Sequence, residues 1–243
     1  MQHCTQSGLC NRLRGWTGIG AIADYYGLSF LVHWNRHAAC SSTFADVFVP
    51  DTCAIMPSRR DGRKYKRIRE FVGERSTHIV EWYNRTQLEI PHDEFMTIAT
   101  ARARALRLQP EFEDTLEAFM ETVPADAIGL HVRRTDLPNC RQSDPLLKKE
   151  LDRVVAEDAD AQFLLCSDNF DSVKWLRRLY GDRIIWREQT MRPQRARRGR
   201  HTSVADSAID LFSLARTKEL IGTYWSSFST HAALMGGIPL RTF

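Results

Sequence analysis

From residue 124 to the C-terminus, short apolar runs alternate with amphipathic segments, and this rhythm restricts the fold more than any other feature of the chain. ADAIGLHV, AQFLLCSD, RIIWR and LIGTYWSSFS read as strands or strand and turn. Between them, residues 144–157, 171–181 and 204–219 have the spacing of helices, and THAALMGG begins another before IPLRTF closes the chain. Asp144 and Pro145 form a cap and first-turn pair, and Gly181 is a stop. Strands that alternate with helices form a parallel sheet covered on both faces. Such sheets bind ligands beyond the carboxyl ends of their strands. Three strands end in polar groups, HVRRTD, LLCSDN and TYWSSFS, and are expected to face one crevice.

The first half is less regular. Residues 11–26 place Leu13, Trp16, Ile19, Ile22, Ala23 and Tyr26 at helical spacing, with Gly27 as the stop and LSFLVHW as a buried strand. FADVFVP reads as a short helix followed by a strand, and residues 59–70 as a basic surface loop. Residues 110–123 form an amphipathic helix with Phe112, Leu116, Phe119 and Met120 on one side.

Composition narrows the class. The 243 residues are 43% hydrophobic and 26% charged, the balance of a globular protein. No apolar run has the length of a membrane span, and the first residues lack the apolar core of a secretory leader, so a cytoplasmic protein is expected. The six cysteines form no CxxC pair and no zinc spacing with histidine; free thiols and no metal are expected. A net charge of +4 suits an anionic ligand such as a nucleotide. The arginines cluster in RRDGRKYKRIR and RPQRARRGR, but no nucleic-acid motif accompanies them, which argues against a DNA or RNA partner. The second cluster reads as a loop, either a flap over anionic groups or a solvated segment.

Four stretches carry chemistry. In HVRRTD, Arg133 and Arg134 follow a strand end, where planar guanidinium forks fit phosphate oxygens. Asp136 either orients an arginine or touches a hydroxyl; the plain alternative is a surface pair between Arg134 and Asp136. In SSFS, Ser226 and Ser227 precede a helix and form either an anion site or an ordinary N-cap. Asp168 either accepts hydrogen bonds from a sugar or caps the next helix, and Asp210 lies inside a helix. In SGLCNRLRG, a glycine precedes a helix from which Asn11, Arg12 and Arg14 reach toward substrate, although the pattern is not a dinucleotide fingerprint. Trp186 and Trp225 are expected in the core or the cleft wall.

Taken together, GLCNRLRG, IGLHVRRTD, LLCSD and DLFSLARTKELIGTYWSSFS resemble the fucosyltransferase superfamily, nearest the alpha-1,6-fucosyltransferases of the nodulation (NodZ) and core-fucosylation type. The resemblance runs from about residue 7 to 237 and skips residues 35–110. It implies an α/β, GT-B-like fold of two Rossmann-like domains with parallel sheets facing a central cleft. A short acceptor-side domain would span residues 1–123 and a nucleotide-sugar domain residues 124–243. It implies inverting transfer of fucose from GDP-fucose, or of a related sugar from its GDP-sugar, to a glycan hydroxyl, with no metal and no cofactor besides the donor. Matched to its motifs, Arg133 contacts the diphosphate and Arg134 is its partner; His131 and Asp210 contact guanine; Ser226 and Ser227 lie near the diphosphate. Asp136 is the motif's acidic residue and Asp168 lies in the donor crevice, while Asn11 and Arg12 are donor-side residues of the first domain. Phe228 departs from the core type, which has glutamine there. The competing readings are a degenerate binding module of the same fold and a nucleic-acid-binding protein.

Overall fold

The computed structural model describes residues 8–27, 31–34, 36, 39–50, 54–56, 90–134, 144–189 and 202–243. Asp136, both arginine clusters, Cys4, Cys53 and Cys140 lie outside the described residues. The chain forms two compact units, Met1–Pro110 and Glu111–Phe243.

The first unit contains α1 (Leu9–Tyr25), the parallel strand pair β1 (Leu31–His33) and β2 (Ala54–Met56), and α2 (His92–Ala105). The helix expected at 11–26 is α1, and Gly27 ends it at φ +64°. Most of α1 is buried: Leu9, Leu13, Trp16, Ile19 and Ile22 leave little exposed face. Arg102 of α2 lies over the Trp16 ring at 5.5 Å and pairs with Asp24 at 3.1 Å. FADVFVP forms a turn instead of a helix and strand. Its Phe44 and Phe48 pack with Trp34, and Phe48 makes an isolated antiparallel bridge to Leu108. Aromatic packing overrides local propensity there.

Among its described residues, the second unit holds a five-stranded parallel sheet and its flanking helices. It contains α3 (Pro110–Met120), β3 (Ile128–Val132), α4 (Asp144–Glu157), β4 (Phe163–Ser167), α5 (Phe170–Tyr180), β5 (Ile184–Ile185), α6 (Val204–Ala215), β6 (Leu220–Gly222), α7 (Ser227–Gly236) and β7 (Leu240–Thr242). The spatial order is β5-β4-β3-β6-β7, with every pairing parallel. IPLRTF therefore supplies an edge strand that apolar pattern alone did not identify. RIIWR contributes only two strand residues, because the chain leaves the sheet after Ile185.

The order places the first strand of the unit, β3, in the centre and reverses direction between β3 and β6. That reversal is the switch point where open α/β sheets leave a crevice. Strand alternation sorts the side chains around it. Ile128, Leu130 and Val132 pack on Leu147, Leu151 and Val154 of α4 and on Val173 and Leu176 of α5. Gly129 and His131 point the other way: a Cβ on Gly129 would meet Thr217 at 2.7 Å, and His131 reaches Ser229 of α7. Gly222 lets α7 approach β6, since a Cβ there would collide with the Ser229 side chain.

Candidate functional site

The crevice at the switch point is lined by His131, Arg133, Cys166, Ser167, Asp168, Thr202, Ser207, Asp210 and Phe228. The end of β3 is clasped from both neighbouring strands. On the β6 side, Thr223 donates its backbone N–H to the His131 carbonyl at 3.1 Å, and its Oγ1 accepts the Arg133 N–H at 3.0 Å. On the β4 side, Ser167 Oγ donates to the Val132 carbonyl at 2.7 Å, and Asp168 Oδ1 accepts the Arg134 N–H at 2.7 Å. Held this way, Arg133 starts from a rigid backbone.

The two arginines have different fates. Arg133 keeps the parity of His131 and lines the crevice. Arg134 has the opposite parity, and its guanidinium turns to the α4/α5 side. There it pairs with Asp144 and donates from Nε to Ser172 Oγ at 3.2 Å, with its side chain only 7% exposed. The carboxylate of Asp144 is thus engaged by Arg134. The alternation of β3, continued two residues past its end at Val132, is the sequence signal that separates the pair.

His131 is buried. Its ring stacks on Phe228 with centroids 4.6 Å apart and 18° between planes, and its Nδ1 shares a 2.8 Å hydrogen bond with Ser229 Oγ. Phe228, where the resembling core-type enzymes have glutamine, is therefore a wall of the crevice. Asp168 lines the same crevice, and the capping of α5 falls to Asn169, whose side chain accepts the Ser172 N–H at 3.0 Å.

Asp210 is buried at the crevice floor. Arg187 donates to its Oδ1 at 2.9 Å and to Asp206 Oδ1 at 2.9 Å, while Gln189 Nε2 donates to its Oδ2. Burial pushes the Asp210 carboxyl up to about 7, against the pull of the Arg187 charge. Asp206 is also tied to the start of its own helix. Ser203 caps α6, accepting the Asp206 N–H at 2.9 Å and donating to its Oδ2 at 2.7 Å. Cys166 packs under this network, and burial, then the Asp210 charge, raises its thiol well above the ordinary range, which disfavours the thiolate. Arg187 and Gln189 were missed by sequence reasoning. They follow a two-residue strand, and nothing local marks them as partners of a helix about 20 residues on.

Ser226 sits at the N-cap of α7 without a side-chain capping bond. Its Oγ is buried and has no hydrogen-bond partner among the described residues. Ordinary N-capping is thus not its role. Ser227 is also buried at this helix start. The start of α7, whose Phe228 lines the crevice, presents the positive end of a helix dipole, which suits an anion.

Just before it, Tyr224 and Trp225 form a turn. Trp225 is 82% exposed, contrary to the expectation of a core or cleft-wall tryptophan, and has φ +60°. For a bulky residue this backbone costs about 1–2 kcal/mol. Trp186 behaves as expected: it packs on the sheet core and lies 5.6 Å from the Phe170 ring.

The N-terminal glycine–arginine stretch has another character. Asn11 is exposed, and Arg12 is buried with its guanidinium 5.3 Å from the Trp34 ring centroid. Arg14 is half-buried on the same helix. Cys10, Cys40 and Cys166 are buried cysteines outside any disulfide. Among the described residues, no group of three or more His, Cys, Asp or Glu side chains is placed to hold a metal ion. No helix among them is long and apolar enough to cross a membrane.

No family model matches the chain, and no curated protein matches it by sequence. Its fold does match solved structures. Fucosyltransferase NodZ from Bradyrhizobium aligns with a TM-score of 0.61 at 16% identity over 98% of this chain and 92% of that one. POFUT1 in complex with GDP aligns at 0.59 and 11% identity, covering 98% and 96%. FUT1 of Arabidopsis thaliana in complex with GDP aligns at 0.60 and 14% identity, covering 98% and 68%. The fold expected from the motifs, an α/β fold similar to that of the fucosyltransferases, is the fold the chain has.

Proposed function

We propose that this protein is a glycosyltransferase that moves fucose from GDP-fucose, with inversion and without a metal, to a hydroxyl of a glycan. The observation that carries this reading is the convergence of Arg133, His131, Asp168, Asp210 and Phe228 on one crevice at the sheet's switch point. Structures of the same fold contain GDP, and NodZ crystals have been soaked with GDP-fucose.

Asp210 accepts guanine N–H groups in its ionised form, held in orientation by Arg187 and Gln189. The His131–Phe228 stack forms the adjoining wall. Arg133 and the positive end of α7 face the diphosphate. As the bond between the anomeric carbon and the β-phosphate oxygen breaks, its electron pair goes to that oxygen, and these positive groups stabilise the charge. The acceptor hydroxyl attacks the opposite side of the anomeric carbon, which inverts it. Its proton passes to a carboxylate, Asp168 or Asp136. Arg134 acts through Asp144 and Ser172 as a positioning residue for the strand end.

The test is transfer of labelled fucose from GDP-fucose to a glycan mixture. Arg133→Ala should lower turnover by about a hundredfold or more, the usual effect of removing a group that binds developing charge. Near-normal turnover in that variant would sink the assignment.

A further inference from the structure

We infer that Tyr224 and Trp225 form a stacking platform for a pyranose ring of the sugar acceptor, on the turn that joins β6 to α7. The inference deepens the glycosyltransferase reading and rests on it.

The unusual residue choice at this turn comes first. Ser226 N donates to the Thr223 carbonyl at 3.2 Å, so residues 223–226 form a hydrogen-bonded turn. Trp225 occupies its third position at φ +60°, where glycine or asparagine is the ordinary occupant. It is the one non-glycine residue with positive φ among the described residues. The side chain gains no burial in exchange: Trp225 is 82% exposed and Tyr224 59%. A strained backbone that holds a large ring in solvent is unexplained by packing, and such outliers gather at ligand sites.

The location and rigidity fit a substrate. Thr223, the first residue of the turn, is bonded to the backbone of His131 and Arg133, and Tyr224 N donates to the Phe243 carbonyl at 3.2 Å. Phe228, three residues after Trp225, lines the crevice. The two rings lie 5.4 Å apart at 68°, which makes an apolar corner in place of a flat patch. Two rings offer at most roughly 500 Å², well below the ~800 Å² per partner of a stable protein interface. A sugar ring, with an apolar C–H face and a polar rim, matches the size and chemistry of the corner.

The experiment uses an array of defined gluco-, manno-, galacto- and N-acetylglucosamine oligosaccharides, probed with the full chain in saturating GDP. Three proteins are compared: wild type, Trp225→Gly, which suits the backbone and removes the ring, and Trp225→Phe. A GDP-induced rise in Tm, equal in all three, serves as the control for folding and for the donor site. The expected result is retention of wild type on at least one oligosaccharide, reduced at least about tenfold in Trp225→Gly and within about threefold in Trp225→Phe. A normal GDP shift with no retention, or with retention that survives Trp225→Gly, overturns the platform and leaves the donor reading intact. Self-association on sedimentation that Trp225→Gly abolishes also overturns it, in favour of a second copy as the occupant. Absence of a GDP shift in wild type overturns the donor reading and the platform with it.

Discussion

The two faces of the C-terminal sheet are built from the same strands and have opposite chemistry. On the α4/α5 face, Leu130 and Val132 meet Leu147, Leu151, Val173 and Leu176, and the enclosed polar contact is the Arg134–Asp144–Ser172 cluster past the strand end. On the α6/α7 face, the intervening residues are Gly129, His131 and Cys166, and the helices bring Asp206, Asp210, Ser213 and Ser229 into the interior. One face holds the sheet together by excluding water. The other carries buried charge, which is expensive unless fully partnered. Arg187 and Gln189 supply the partners for Asp210. A protein that needed only a core would have no reason to place this network under a crevice. Polarity is concentrated on the ligand side, one residue out of register from the core.

The largest effect should come from the centre of that polar face. Arg187→Met removes the guanidinium shared by Asp206 and the buried Asp210 and should destabilise the protein by about 3–5 kcal/mol in denaturant melts, with loss of GDP binding. Leu151→Ala, on the apolar face, should cost about 2–5 kcal/mol but leave GDP affinity unchanged by calorimetry of the folded protein. If both variants lost GDP binding equally, the distinction between the faces would fail. Gly222→Ala should fall between the two faces in character. Its Cβ collides with Ser229, so about 1–3 kcal/mol of overpacking should accompany weaker GDP binding, as His131 loses its place.

A smaller effect is expected from pH. Asp210 has its carboxyl raised to about 7 in the folded protein, against 3.8 as the ordinary value. The native state therefore holds this proton more tightly than the unfolded state. The Asp210 contribution to stability falls as pH rises from the ordinary value through about 7, and the penalty is complete above it. Nucleobase recognition needs the ionised form, so GDP affinity should instead rise about tenfold between about pH 6 and 8. Asp210→Asn should flatten both trends, which separates this group from others that titrate. The smallest effect is expected on the solvent side of α4. Arg153 bridges Glu150 and Glu157 in the open, and Arg153→Ala should move Tm by less than about 2 °C.

Much of the second unit was legible in the sequence because its strands are short apolar runs with clear helical spacing between them. The elements at 128–132, 144–157 and 163–167 follow directly from those runs. Elsewhere, tertiary contacts decide the outcome. Leu240–Thr242 becomes a strand only because β6 offers an open edge, and Phe44 to Val47 forms a turn because its aromatics pack on Trp34. The crevice was partly legible too. HVRRTD and SSFS marked the right strand ends, but the motif alone treats Arg133 and Arg134 as a pair. Only extending the alternation of β3 past Val132 places them on different faces. Arg187 and Gln189 carry no sequence signal because their partners come from a helix reached through a long connection.

The most direct test of the central claim is a thermal-shift comparison of GDP, UDP, ADP and CMP on the wild-type protein and on Arg133→Ala. A ligand that binds only the folded state raises Tm in proportion to its saturation. The account predicts a rise with GDP alone, reduced or lost in Arg133→Ala. Equal shifts with all four nucleotides, or a GDP shift untouched by Arg133→Ala, would contradict it.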